Sequence, residues 1–154
     1  MVEFYTLATA HIHSFIGIKC SLETAINITA FVSLKDNDHL IIKIYKSIEG
    51  SFKLGYNTTT AGLNNLFPKL VVGIKDSIGT ERAAKNQDKL NLYYRTIVPS
   101  SDLELPALKA AFSILTCIDL GGTRPPLYPI THELKKGITR KLEKLGLKAA
   151  CPVW

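Results

Sequence analysis

The sequence predicts an α+β domain, a mostly antiparallel sheet with two C-terminal helices packed on one face. Three observations lead there. Early segments alternate apolar and polar residues with period two, which sends successive side chains to opposite faces of a strand. Two late segments, from Pro106 and from Thr131, space their apolar residues by three and four, as an amphipathic helix does. Short Asx, Gly and Ser clusters separate the early segments, the turn chemistry that joins antiparallel neighbours.

Length fits one domain over 1–154, since a chain of 154 residues can bury roughly 68–70% of its unfolded surface. At 46% apolar and 21% charged residues, disorder and fibrous structure are excluded. The most apolar long stretch, Ala107 to Leu120, carries Lys109 and Asp119 and falls short of the ~20 residues a membrane span needs. Three scattered cysteines, Cys20, Cys117 and Cys151, do not make a disulfide framework and read as reduced, buried thiols of a cytosolic protein. Met1 to Tyr5 lacks the basic and apolar regions of a secretory signal. The expected location is cytoplasmic, on a peripheral membrane or in a virion.

The elements follow in order. Thr9 to Cys20 alternates, with Ala10, Ile12, Ile16 and Ile18 on one side and His11, His13 and Phe15 on the other, and is read as a strand. Ser21 to Lys35 fits a strand or a helix capped by Ser21, and both readings stand. Asp36-Asn37-Asp38 is a turn, His39 to Ile48 a strand broken by Glu49-Gly50-Ser51, and Phe52 to Tyr56 a short strand. Asn57 to Asn65 reads as loop, Lys69 to Lys75 as a Val-rich strand, Asp76 to Asp88 as a polar connection, and Lys89 to Val98 as another strand. After Pro99 a helix is expected to run to about Leu120 on a stripe of Leu105, Leu108, Phe112, Leu115 and Ile118, stopped by Gly121-Gly122. Pro106 restricts its start to the first turn. Thr123 to Pro129 holds three prolines and reads as an extended linker. The last helix has Thr131 as N-cap, Leu134, Ile138, Leu142 and Leu145 as its stripe, and Gly146 as the left-handed residue after its end.

Reactive chemistry is sparse. No phosphate-cradling loop, Cys-x-x-Cys or His-Glu-x-x-His is present. No cofactor, catalytic residue or small-molecule substrate is expected, and the chain is read as not an enzyme. His11 and His13 would share one face of a strand as two metal ligands, with His39 on a neighbour, but solvent-facing histidines explain the pattern as well, and no metal is assigned. Asp36/Asp38 and Asp102/Glu104 sit where a turn and a helix start favour carboxylates. Tyr93, Arg95 and Lys89 on one strand would make a base-stacking face. An ordinary outer face is the alternative.

Two features remain. Thr131 to Trp154 holds six cations against two glutamates, which accounts for most of the net charge of +6. Lys135, Lys136, Arg140, Lys141, Lys144 and Lys148 thus form a candidate surface for an anionic membrane or nucleic acid. Pro125-Pro126-Leu127-Tyr128 has the Pro-Pro-x-Tyr form read by the aromatic grooves of WW domains. The structural alternative is a rigid bridge with Tyr128 packed inward.

A basic single domain, strand-rich at first, with a late basic helix and a Pro-Pro-x-Tyr element, resembles the matrix proteins of negative-strand RNA viruses, rhabdoviruses in particular. The resemblance covers Thr9 to Ile48 and the closing helix through Leu145-Gly146-Leu147. It implies a sheet packed on helices and a structural role in the virion. It also implies a self-associating homo-oligomer that bridges a viral nucleoprotein or nucleocapsid and an anionic membrane surface. An RNA-binding accessory protein or silencing suppressor is the alternative.

Overall fold

Helix, and no strand, is what the chain forms among the described residues of the computed structural model, which are 2–15, 47–53 and 60–150. The expected antiparallel sheet is therefore corrected. The helices are α1 (Val2–His11), α2 (Ile48–Lys53), α3 (Leu63–Leu66), α4 (Pro68–Lys75), α5 (Glu81–Ile97), α6 (Glu104–Thr116) and α7 (His132–Lys144), with a 3-10 turn at Ser101–Leu103 before α6. The chain falls into two compact units, Met1–Ala61 with Val71–Gln87 and Gly62–Leu70 with Asp88–Trp154.

Each displaced strand has a local reason. Lys89 to Val98 is dense enough in apolar residues to fit either period, but burial follows the helical one. Ala83, Gln87, Leu90, Tyr93 and Ile97 are buried at spacings of four, three, three and four, while Leu92 is 50% exposed. The deciding signal lies upstream, in the segment read as a polar connection. Thr80 Oγ1 accepts from Ala83 N at 3.4 Å and Glu81 occupies the first turn, so α5 starts there. Lys69 to Lys75 is helical because Pro68 stands at a first helical position, where its missing N–H costs nothing. Of the strand expected over Thr9 to Cys20, residues 9–11 close α1 and Phe15 N bonds Ile12 O in a turn. The rest, with 21–46 and most of the expected strand from Phe52 to Tyr56, lies outside the described residues.

In the first unit, α2 is six residues long and is held at its N-terminus from two directions. Ser47 Oγ accepts from Gly50 N at 2.8 Å. Gln87 Oε1 accepts from Ile48 N at 2.8 Å and from Glu49 N at 3.3 Å. The amides that a helix start leaves without partners are thereby satisfied. Ile74 on α4 is fully buried, and Gly73 lies against Asn86, where an added Cβ would come within 2.7 Å of Nδ2.

In the second unit, α6 packs against α3 and α7. Its buried face is Pro106, Ala107, Leu108, Ala110, Ala111 and Ile114; of the expected stripe Leu108 alone is buried, and Leu105 is 51% exposed. Alanines let neighbouring helices approach closely. Gly62, just before α3, does the same, since a Cβ there would lie 2.5 Å from Leu108 Cδ1. α6 ends at Thr116 with Cys117 in the left-handed region (φ 61), short of the expected stop at Gly121-Gly122. α7 starts as expected, with Thr131 Oγ1 accepting from Leu134 N at 3.3 Å. It ends with Leu147 N on Leu142 O and Gly146 N on Glu143 O, the paired bonds of a Schellman ending, with Gly146 at φ 75. Beyond it Ala150 N donates to Ile114 O at 2.9 Å and ties the tail to the end of α6.

Candidate functional site

The basic residues singled out in the sequence divide by helix geometry. α7 buries Ile138, Thr139 and Leu142, so positions turned away from that face meet solvent. Lys136, Arg140 and Lys144 recur every four residues, about 6 Å apart along the axis. Lys141 flanks that row and Lys148 follows the helix, and all five are exposed. None of them takes part in an ion pair among the described residues, where the pairs are Lys53–Glu49 and Lys85–Glu81. Lys135 belongs to a different face and is half-buried.

Pro125, Pro126, Leu127 and Tyr128 form a bend rather than the extended linker expected, closed by Leu127 N donating to Arg124 O at 3.1 Å. Tyr128 is 81% exposed, which corrects the inward-packed reading. Its backbone, not its ring, is what the fold holds, because Thr123 Oγ1 donates to Tyr128 O at 3.1 Å.

The expected base-stacking face does not form. Tyr93 is buried in α5 with its ring centroid 4.5 Å from that of Phe67, and Arg95 points to solvent. Lys89 Nζ lies 5.8 Å from the Tyr93 centroid, a cation–π contact that serves the packing. His11 ends α1 and His13 lies in the following turn, so the common strand face proposed for them is absent. His39, Asp36 and Asp38 lie outside the described residues. Among the described residues no group of three His, Cys, Asp or Glu is placed to hold a metal. Cys117 is exposed and disulfide-bonded, which corrects its reading as a buried thiol.

A second grouping escaped the sequence reading. Between α6, the loop that follows it and the start of α7 lies a cavity of about 70 Å³. Pro106, Lys109, Ala110 and Ser113 line it from α6, Asp119 and Gly121–Thr123 from the loop, and Ile130 and Lys135 from the approach to α7 and its first turns. Lys109 Nζ donates to Gly122 O at 2.6 Å and holds the loop across the helix. Asp119 Oδ1 accepts from Gly121 N at 2.9 Å. In the sequence Lys109 and Asp119 register only as charges interrupting an apolar run. Their meeting with Lys135 depends on the bend at Arg124–Leu127, which no periodicity reports.

No family model and no curated protein matches the chain. Solved structures do. A variant of the 2-keto-3-deoxygluconate aldolase of Sulfolobus solfataricus, in complex with L-2-keto, 3-deoxy-galactonate, superposes with a TM-score of 0.68 at 20% identity over 91% of this chain. The same aldolase in complex with D-KDPG gives 0.66 at 21% identity over 91% of this chain. Both matches cover 48% of the aldolase, so the chain spans about half the length of the solved chains it resembles. The expectation that the chain is not an enzyme is corrected by these neighbours only in that the fold it resembles is that of an enzyme. At this identity the likeness is one of fold.

Proposed function

We propose that the chain is an aldolase-type enzyme acting on 2-keto-3-deoxy sugar acids. The observation behind this reading is the superposition of 91% of the chain on the archaeal aldolase. Cleavage of such an acid between C3 and C4 releases pyruvate and an aldehyde. The test is to incubate the purified full chain with 2-keto-3-deoxygluconate and follow pyruvate release and ligand binding together. Saturable release supports the reading. A folded chain that neither releases pyruvate nor binds the keto acid refutes it.

A second reading is favoured by the outward row of unpaired cations on α7. It keeps the matrix-like or RNA-binding role expected from the sequence in one form, docking of that face on an anionic membrane or on RNA. Each lysine beside an anionic leaflet contributes on the order of 1 kcal/mol, so the row gives reversible, salt-sensitive attachment. No helix among the described residues is long and apolar enough to cross a membrane. Liposome co-sedimentation and RNA mobility shift across a salt series test this reading, with Arg140, Lys141 and Lys144 all changed to Glu as the control. Binding that survives the triple reversal rejects it.

A further inference from the structure

We infer that the cavity between α6, its following loop and the start of α7 is a binding site for a small oxyanion, a phosphate or a carboxylate. Burial sets two cations apart from the rest. Among the described residues every lysine and arginine is exposed except Lys109 and Lys135, and both line this one cavity. Two half-buried lysine stems lining one space bring like charges to it, which is unfavourable without an anion. The fold compensates only part of this. Lys109 gives one N–H to Gly122 O. The Lys135 ammonium has no hydrogen bond or ion pair among the described residues. Asp119 lines the same space, yet it forms no ion pair with either lysine, and one of its oxygens is engaged by Gly121 N.

No carboxylate of the described residues pairs with either lysine. An oxyanion supplies that partner, taking the remaining N–H groups of Lys109 and those of Lys135 in charge-assisted hydrogen bonds. Pro106, Ala110 and Ile130 form apolar walls that weaken screening. A cavity of about 70 Å³ admits a phosphate or a carboxylate end. Asp119 opposes the ligand by its charge, so the site is tuned to modest affinity. This inference uses no residue of the α7 row and no turnover, and it stands or falls apart from the aldolase reading.

The test is a titration of the full chain with sodium phosphate, and separately with sodium acetate, at ionic strength held constant with chloride. Amide resonances of Gly121, Gly122 and Thr123 report binding. Saturable shifts are expected with phosphate, and shifts with acetate as well assign the site to oxyanions in general. Lys135→Gln weakens binding roughly tenfold, the loss expected for one charge-assisted bond. Asp119→Asn tightens it several-fold. Lys136→Gln, one residue along but outward, changes it by less than twofold. Shifts that never saturate, or an equal loss in Lys136→Gln, overturn the inference.

Discussion

Gln87→Leu is the substitution that most sharply tests how the first unit is held together. Gln87 reaches α2 from 39 positions along the chain and accepts from Ile48 N at 2.8 Å and Glu49 N at 3.3 Å. Leucine matches its bulk and takes away the one oxygen that accepts both bonds. The Ile48 amide belongs to a residue only 3% exposed, so water does not replace the lost partner. An unsatisfied buried amide costs about 1–3 kcal/mol, and loss of a helix N-cap about 0.5–2 kcal/mol, with overlap between the two. A destabilisation of about 2–3 kcal/mol is expected. Urea unfolding followed by circular dichroism reads it as a fall in midpoint of about 1–2 M. Gln87→Glu keeps an acceptor beside the helix N-terminus and loses less. A midpoint for Gln87→Leu within about 0.3 M of the parent chain would refute the reasoning and leave α2 to Ser47 alone.

Other expectations follow from single residues. Leu142→Ala empties a fully buried site on α7 and lowers stability by about 2–5 kcal/mol, measured by the same unfolding curves. Gly146→Ala places a side chain at φ 75 with nothing crowding its Cβ, so the cost is purely conformational, about 1 kcal/mol. The Glu49 carboxyl sits below the usual glutamate range, chiefly because the Lys53 ammonium hydrogen-bonds it. Its folded pKa is the depressed one, so its contribution is whole above the ordinary glutamate range and vanishes as pH falls through and below it. Stability of the parent chain and of Glu49→Gln should therefore differ at neutral pH and converge in acid. Burial raises the Tyr94 phenol, so that contribution is present below the ordinary tyrosine range and lost as pH rises through the folded value, seen as late ionisation in an ultraviolet titration.

Residues close in sequence spoke clearly, and residues that meet across the chain did not. Thr131, the Ile138 and Leu142 positions and Gly146 lie within one helix and its caps, and the structure places them as their spacing predicts. Leu90, Tyr93 and Ile97 share a segment with Leu92 and Tyr94, so both a strand and a helix period fit, and only the Thr80 cap ahead of Glu81 separates them. Ala110 and Ala111 support a helix by propensity alone, but that they rather than the leucines form its buried face depends on how closely neighbouring helices approach. The cavity was hidden for a different reason. Lys109, Asp119 and Lys135 converge through a loop pinned by the Lys109–Gly122 bond, and that geometry has no sequence period.

Pyruvate released from 2-keto-3-deoxygluconate by the purified full chain is the most direct measure of the shared fold's meaning. Substrate-dependent, saturable release is the expected result. A well-folded, helical chain with no release and no affinity for the keto acid would contradict the account.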